Sequence, residues 1–314
     1  MSDLFVVSSS PHIRAKENVS TVMRDVVIAL LPATFFGVYN FGIRALIIVV
    51  LCIASSVAAE ALYQMLTNQK ITTGDYSAII TGLLLGLNLP HTVPYFIPVL
   101  GSVFAIIIVK QLFGGLGQNF MNPALAARAF LLISFAGIMT KWQLDGVSTA
   151  TPLAIFKAES AMGFNAPELM DLFIGRIGGC IGETSAIALI LGGLYLLFRK
   201  VIDWRIPGTY LLTVAIMAVA LGGKGFDINT IAYHLFSGGL LLGAFFMATD
   251  YSSSPMTNIG KIIMGIGCGI LTILIRLYGG YPEGVSFAIL IMNLFVPLID
   301  RYTIPKSFGE VAKK

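Results

Sequence analysis

The sequence predicts an all-α, polytopic membrane protein with about ten transmembrane helices, arranged as two inverted repeats of five helices each. Three observations support this fold class: the composition, the spacing of the apolar segments, and a similarity between the two halves of the chain. Of the 314 residues, 56% are hydrophobic and 11% are charged, and the mean hydropathy is +0.86. Average soluble domains contain about 25% charged residues. The lipid bilayer is therefore the expected environment.

The apolar segments predict ten helices along the chain. In order, they are Val26–Tyr39, Ile43–Leu66, Tyr76–Leu89, Tyr95–Leu112, Pro123–Gly137, Thr184–Phe198, Ile206–Leu221, Ile231–Thr249, Ile259–Tyr278 and Val285–Ile299. Several are shorter than the roughly 20 residues that a full span needs. The third and eighth are the best candidates for interrupted helices, because each contains glycine and ends in a polar turn, NLPHTVP or ATDYSSSP.

The two halves of the chain contain matching segments. TGLLLGLNLP corresponds to GGLLLGAFFM, and VKQLFGG corresponds to IRLYGG. An odd number of spans in each half gives the halves opposite orientations, as in many transporters and in urea-transporter-like folds. The predicted divisions are a cytoplasmic segment (1–24), the first repeat (25–140), an extracytoplasmic loop (141–183), the second repeat (184–300) and a cytoplasmic tail (301–314).

The distribution of charge predicts the orientation. Most of the 20 Lys and Arg residues fall on the side that holds both termini, when those inside spans are assigned to the nearer end. The positive-inside rule then predicts that both termini are cytoplasmic. The net charge of +4 is too small to indicate a nucleic-acid partner. The three cysteines and three histidines have no metal-site or iron–sulfur spacing, so no metal site is predicted.

The connection between residues 140 and 183 is the long one in the predicted topology, and such loops are usually functional or disordered. It contains the sequence LDGVSTATPL. This segment resembles the flavinylation motif, Asp-x-x-Ser/Thr-Gly-Ala-Thr, of the B and C subunits of the sodium-pumping NADH:quinone reductase and of the D and G subunits of Rnf complexes. In that family a flavin transferase attaches FMN through its phosphate to the last threonine. The matching residues are Asp145, Ser148, Ala150 and Thr151, so the resemblance implies covalent FMN on Thr151.

The same residues leave a structural interpretation open. Thr149 stands where the flavinylation motif commonly has glycine. Hydroxyl residues before Pro152 are also typical of an ordinary turn or a helix cap.

Further segments extend the resemblance over nearly the whole chain, from about Ser10 to Asp300. They are SPHIR, DVVIALLPA, KQLFGGLGQNFMNPALAARAFL, GGCIGETSAIALILGG and FMATDYSSSPMT, in this order. They are similar to the Rnf D subunit and its relative, the B subunit of the quinone reductase. The resemblance implies a flavin-bearing, electron-carrying subunit of a ferredoxin:NAD oxidoreductase of the prokaryotic cell membrane, coupled to Na⁺ or H⁺ translocation. The implied partners are the A and E membrane subunits, the flavin-bearing G subunit, the soluble B and C subunits, and the flavin transferase.

Two alternatives remain at this point. One is the B subunit of the quinone reductase, although the short polar N-terminus favours the Rnf D subunit. The other is a non-redox channel with a urea-transporter-like fold, because fold does not determine function. In either redox case no complete active site is expected on this chain, since it has no nucleotide-binding or cluster-binding motif.

Three carboxylates are candidates for an ion path, because ionisable groups within spans are costly and usually functional. They are Glu60, Glu183 and Asp250. Each has a structural alternative: Glu60 near the membrane surface, Glu183 in the first turn of a helix, and Asp250 in an Asx-turn.

Asn119 and Asn122 precede a predicted helix that begins at Pro123. Asn122 fits an N-cap followed by proline at the first helical position. The resemblance implies a further role here, since relatives hold a second, noncovalent flavin such as riboflavin near this segment.

Overall fold

The computed structural model of the protein describes residues 18–144, 147–155, 168–222, 226–280 and 283–305, which are almost entirely helical. The first half contains α1 (Val19–Phe41), α2 (Ile43–Leu66), α3 (Ser77–Leu87), α4 (Phe96–Val103), α5 (Pro123–Ser134) and the short α6 (Ala136–Met139). A 3₁₀ turn (Thr73–Asp75) precedes α3. Helix α4 continues as a π-helix (Phe104–Lys110) and a 3₁₀ turn (Gln111–Phe113).

A small hairpin and a short helix connect the halves. The hairpin consists of β1 (Trp142–Leu144) and β2 (Val147–Thr149), which are antiparallel, and the short helix is α7 (Leu169–Ile174). The second half contains α8 (Ala186–Phe198), α9 (Arg205–Leu221), α10 (Ile228–Phe236), α11 (Leu240–Leu242), α12 (Asn258–Tyr278) and α13 (Val285–Thr303). Helix α11 continues as a π-helix (Gly243–Met247).

The helices have the length and composition of a membrane protein. Within the described ranges, five are long and apolar enough to cross a bilayer: α1, α2, α4 with its continuations, α12 and α13. The bent pair of α10 and α11 makes a sixth if it counts as one span, and α3, α5, α8 and α9 are shorter apolar helices. The prediction of an all-α membrane protein is confirmed. The arrangement as ten spans in two inverted repeats stays a prediction, although each predicted segment coincides with a helix.

The surface of the helices also fits a bilayer. Large apolar side chains are exposed on long and shorter helices alike, including Phe35, Ile43, Ile133, Phe198 and Leu212. Contiguous exposed apolar surface of this kind marks an interaction with lipid or with another protein.

Helix α1 begins earlier than the sequence predicts. The side chain of Asn18 caps it by accepting a hydrogen bond from the Thr21 amide at 2.8 Å. The helix therefore begins at Val19 rather than at the predicted Val26, and that helix boundary is wrong. The polar residues in this first part are compatible with a helix because Asp25, which is buried, pairs with Arg199 at 3.0 Å.

The predicted interruption of the eighth span is confirmed. Helices α10 and α11 meet at an angle of 60°. Gly238 and Gly239 lie between them with φ angles of +70° and +69°, a region that favours glycine. The carbonyl groups at the end of α10 are satisfied by Arg276 of α12, which donates to His234 O at 2.5 Å and to Ser237 O at 2.9 Å.

Helix α3 lies in the core, and ten of its eleven residues are buried. At roughly 1.5 Å per residue it is about 16 Å long, too short to cross the bilayer alone. Its glycines allow close packing on α2, since a Cβ atom on Gly82 would lie 2.6 Å from the carbonyl oxygen of Cys52. Small residues at such contacts are typical of helices packed in membranes.

Candidate functional site

Thr151 lies just after the hairpin and is buried, with 4% of its surface exposed. Its hydroxyl oxygen accepts a hydrogen bond from the Ala154 amide at 3.3 Å. This bond caps the helical turn at residues 152–155. The turn or cap that the sequence suggests at Ser148 and Thr149 is not found, because these residues lie in β2. The carboxylate of Glu283 lies near the Thr151 hydroxyl group. A helix cap and a flavin attachment site are not exclusive, because attachment needs only the hydroxyl oxygen.

The remaining residues of the flavinylation motif are described only in part. Asp145 lies outside the described residues. The backbone of Ser148 pairs with Gln143 in the hairpin, and Ala150 is exposed between β2 and Thr151. The hairpin therefore ends two residues before Thr151, which fixes the backbone on one side of the candidate attachment site.

We call Thr151, Glu283 and the charged residues that act on Glu283 the Thr151 cluster: Thr151, Arg128, Glu183, Arg276 and Glu283. Arg128 of α5 donates to Glu183 at 2.9 Å. It also donates to the side-chain oxygen of Asn88, the residue after α3, at 2.6 Å, and to the sulfur of Cys180 at 3.4 Å. The cluster thus joins the first half of the chain to the second.

Arg276 and Glu283 approach one another at the bend between α10 and α11. A Cβ atom on Gly238 would lie 3.2 Å from Arg276 Nη2, 3.4 Å from Leu153 Cδ2 and 3.8 Å from Glu283 Cα. Leu153 follows Thr151 by two residues, so this point connects the arginine, the carboxylate and the candidate attachment site. Glu183 lies against the neighbouring Gly239.

The electrostatic environment of Glu283 is mixed. Burial raises its pKa to about 6, and the negative charge of Glu183 acts in the same direction. The positive charges of Arg128 and Arg276 and the hydrogen bond from Thr151 oppose this shift of the pKa. Glu283 therefore titrates close to neutral pH, next to the hydroxyl group of Thr151.

The structure corrects the expectation for Glu183. The sequence places this residue in the first turn of a helix, but α8 begins at Ala186 and its N-cap is Ser185, whose side chain accepts from the Ala188 amide at 3.4 Å. Glu183 precedes the cap and is held by Arg128 instead. A helix-dipole role is therefore not supported.

A second buried ion pair lies at the other end of α3. We call Glu60, Ser77, Lys110 and Gln111 the Lys110 cluster. Glu60 accepts from Lys110 at 2.8 Å and from Gln111 at 2.7 Å, and Lys110 also donates to the Ser77 hydroxyl at 2.6 Å. Only 1% of Glu60 is exposed and it is paired with a cation, so its charge is neutralised inside the protein; that it lies near the membrane surface stays a prediction.

A cleft of about 80 Å³ adjoins the Lys110 cluster and lies between α3, α5 and the π-helical continuation of α11. Lys110, Asn119, Asn122 and Asp250 contribute to its walls. It is smaller than the usual small-molecule site of roughly 300–1,000 Å³. The cleft brings the two predicted asparagines together with one of the predicted carboxylates.

The polar residues of this cleft have clear structural roles. Asn122 caps α5 by accepting from the amides of Ala124 and Leu125 at 3.0 and 3.3 Å, which confirms the predicted N-cap. Asp250 accepts from the hydroxyl groups of Ser252 and Ser253 at 3.0 and 2.9 Å. The predicted Asx-type turn is thus present. Burial raises the pKa of Asp250, although these hydrogen bonds and one from Asn119 oppose the shift.

Sequence reasoning missed the cations of both clusters and also Glu283. The count of surface charges places Lys110, Arg128 and Arg276 near the membrane surface, but each is at most 7% exposed. The sequence does contain a signal for these cations, because a charged residue inside an apolar segment is costly and usually has a partner. The partner is not predictable from the local sequence. No group of three His, Cys, Asp or Glu side chains suited to a metal ion occurs in the described part of the chain.

Buried ion pairs inside a bundle of apolar helices define a multi-pass membrane protein with an internal polar site. A family model described as "NQR2, RnfD, RnfE family" matches residues 6–309, nearly the entire chain. The chain belongs to this family.

Three curated relatives illustrate the similarity. The chain is 55% identical to the D subunit of the Na⁺-translocating ferredoxin:NAD⁺ oxidoreductase complex of Acetobacterium woodii, over 96% of this chain and 95% of that protein. It is 46% identical to the D subunit of the proton-translocating ferredoxin:NAD⁺ oxidoreductase complex of Clostridium ljungdahlii, over 98% and 97%. It is 41% identical to the D subunit of the ion-translocating oxidoreductase complex of Stutzerimonas stutzeri, over 95% and 94%.

Proposed function

We propose that this chain is the D-type membrane subunit of an Rnf complex, an ion-translocating ferredoxin:NAD⁺ oxidoreductase, and that it carries electrons through FMN attached to Thr151. The assignment of the complex rests on the names of the relatives with 55% and 46% identity. The assignment of the flavin rests on one structural observation: the hydroxyl group of Thr151 lies near the Glu283 carboxylate, and two buried arginines, Arg128 and Arg276, are close enough to act on that carboxylate.

The residues around Thr151 fit a phosphoester. A phosphate needs a hydroxyl group for attachment and positive charge nearby, and arginine is well suited to it because of its planar set of donors. Thr151 supplies the hydroxyl group, and Arg276 and Arg128 supply the positive charge. Thr151 is buried in the structure, so the segment after β2 must move for a flavin transferase to reach Oγ1.

Bound FMN supplies one-electron and two-electron chemistry, whereas the protein determines its position and electrostatics. A carrier of this kind is required because a bilayer core of roughly 30 Å is too thick for a single electron transfer step. By the proposed orientation, with both termini in the cytoplasm, Thr151 faces the outside of the cell membrane. NAD, ferredoxin and the iron–sulfur centres belong to the soluble B and C subunits and to the A, E and G subunits at the membrane.

The cleft beside the Lys110 cluster is the proposed place of a second, noncovalent flavin such as riboflavin. Asn119, Asn122 and Asp250 provide polar groups on its walls. Its volume is about 80 Å³, so the walls must move apart for a flavin to enter. Asp250 is also the strongest of the three ion-path candidates. Glu60 and Glu183 are each neutralised by a cation, whereas Asp250 forms no ion pair within the described residues. The coupling ion stays open, because the relatives named above differ in it.

Electron transfer in membrane vesicles tests the function. Vesicles with the assembled complex are expected to reduce NAD⁺ with reduced ferredoxin and to move Na⁺ or H⁺ at the same time. The Thr151→Ala variant is expected to lose both. Thr140→Ala is the matched control, because Thr140 is an exposed hydroxyl residue on the other side of the hairpin. NADH oxidation with a quinone acceptor would instead support the quinone-reductase alternative, and solute flux without redox activity would support the channel.

A further inference from the structure

Arg276 is a buried cation, 2% exposed, that forms no ion pair within the described residues. Its two terminal nitrogens donate to carbonyl groups at the end of α10, and its Nε has no hydrogen-bond partner among the residues that the structure describes. A buried guanidinium group that lacks both a counter-charge and one hydrogen bond is costly. This arrangement is suited to an anion that joins the site.

Arg128 is in a different situation, although it belongs to the same cluster. Its nitrogens bond to Glu183, Asn88 and Cys180. Its charge is therefore neutralised, and its donors are used within the protein. Of the two arginines near Thr151, Arg276 is the one with capacity for a further anion.

Glu283 is a neighbour of both Arg276 and Thr151. Its carboxylate lies near the Thr151 hydroxyl group, and its Oε1 atom has no hydrogen-bond partner in the described part of the chain. The geometry at Gly238 places Arg276 and Glu283 against the same point of the backbone. Before any flavin is attached, Glu283 is thus the anion that faces both the arginine and the attachment hydroxyl.

Flavin attachment changes this arrangement in a defined way. Thr151 Oγ1 forms a bond to the FMN phosphorus of a flavin dinucleotide, the bond to the AMP portion breaks, AMP leaves, and the hydroxyl proton passes to solvent. Thr151 then has no hydroxyl hydrogen to offer to the nearby Glu283. One negative charge is added close to a carboxylate that has no other donor to it in the described part of the chain.

We propose that Arg276 binds the phosphate of the flavin on Thr151, and that this phosphate displaces the Glu283 carboxylate from the threonine. The proposal rests on the covalent flavin proposed above. It assigns two residues of this chain to the site, one that attracts the phosphoester and one that opposes it.

The test compares the thermal midpoints of one purified chain with and without flavin, the flavin being added by the transferase and a flavin dinucleotide. In the wild type, attachment is expected to raise the midpoint by about 3 °C or more, because a charge-assisted hydrogen bond forms. In Arg276→Met this increase is expected to disappear, and Arg276→Lys is expected to restore part of it. Arg199→Met, which removes a cation far from Thr151 along α8, is expected to retain the full increase.

A second variant keeps the test decisive if Arg276→Met does not fold. Glu283→Gln removes the opposing charge but keeps the shape of the side chain. Flavin attachment is therefore expected to raise its thermal midpoint by more than it raises that of the wild type at pH 8. The charged groups that face Glu283 are Arg128, Arg276 and Glu183. At pH 5 the wild-type carboxyl group of Glu283 is mostly protonated, so flavin attachment is expected to raise the thermal midpoints of the two chains by the same amount.

Each result supports or overturns a separate statement. An unchanged increase in both Arg276→Met and Arg276→Lys, or an increase in Glu283→Gln equal to that of the wild type at pH 8, would overturn the role of Arg276 and Glu283. Absence of flavin from the wild-type chain, with a transferase that modifies a control substrate, would overturn the proposed function itself.

Discussion

Two buried ion pairs mark the two ends of α3, and they differ in what surrounds them. Lys110 pairs with Glu60 and bonds to Ser77, the first residue of α3. Arg128 pairs with Glu183 and bonds to Asn88, the residue after α3. The first pair connects α2, α3 and the continuation of α4, all within the first half of the chain. The second pair connects the two halves and adjoins Thr151.

The comparison shows that a buried ion pair lies beside each of the two candidate sites, the cleft and the Thr151 cluster. Buried ion pairs contribute little net stability compared with apolar packing, so their presence usually indicates a requirement other than stability. The Lys110 pair adjoins the cleft proposed for a second flavin. The Arg128 pair fixes a polar cluster near Thr151. Each pair therefore keeps charge inside the bundle at a place where a ligand is proposed.

The largest effect on stability is expected from Arg128→Met. This substitution leaves Glu183 buried without its cation and removes the bonds to Asn88 and Cys180, at a cost of roughly 3–5 kcal/mol. Thermal or denaturant unfolding of the purified chain measures it. The double variant Arg128→Met with Glu183→Gln is expected to recover part of the loss. A single variant as stable as the wild type would show that the pair is not buried as described.

A somewhat smaller effect is expected from Lys110→Met, about 3 kcal/mol. Glu60 keeps one donor in this variant, because Gln111 still bonds to it at 2.7 Å. The same unfolding measurement applies, with Glu60→Gln added as the compensating change. A loss of stability larger than that of Arg128→Met would show that the Lys110 pair contributes more to stability than the Arg128 pair.

Thr151→Ala is expected to lower stability by about 1–2 kcal/mol in the chain without flavin. The substitution removes the cap on residues 152–155 and the hydroxyl group near the partly buried Glu283 carboxylate. A surface loop would lose almost nothing, so the size of this effect separates a buried threonine from an exposed one. Thr151→Ser retains the hydroxyl group and is expected to keep most of the stability.

The smallest effect is expected at Asp203, in the connection between α8 and α9. Burial acts to raise the pKa of this residue, but hydrogen bonds from Arg205 and Lys261 outweigh it and hold the pKa below its usual value of 3.8. A carboxyl group with a depressed pKa stabilises the fold above its unfolded-state pKa, and this contribution is lost as the pH falls through the folded-state pKa. Asp203→Asn is expected to cost less than about 1 kcal/mol at pH 7. The difference between the two chains should shrink as the pH falls below about 3.9, the usual unfolded-state pKa of aspartate, and be lost once the pH is below the folded-state pKa, as unfolding at several pH values would show.

The parts of the fold that depend on local sequence are predictable. Each of the ten apolar segments coincides with a helix, and the glycines at 238 and 239 correctly indicate an interruption. The early start of α1 is missed, because Arg24 and Asp25 look like a polar terminus. The contact that makes Asp25 tolerable comes from Arg199, 174 residues away in the chain.

The candidate site is predictable only where a motif carries it. Thr151 and Asn122 are found in this way, and the cap formed by Asn122 is confirmed. The cations are misassigned because their partners are distant: Lys110 and Glu60 are 50 residues apart, and Arg128 and Glu183 are 55 apart. A charge in an apolar segment indicates that a partner exists, but only the packing of the helices reveals which residue it is.

The central claim is the covalent flavin, and peptide mass analysis tests it most directly. The chain is expressed together with its flavin transferase, digested, and compared with the Thr151→Ala variant. The predicted result is a mass increase of one FMN, less one water, on the peptide that contains Thr151, and no increase in the variant. An unmodified Thr151 peptide, from cells in which the transferase modifies a control substrate, would contradict the claim.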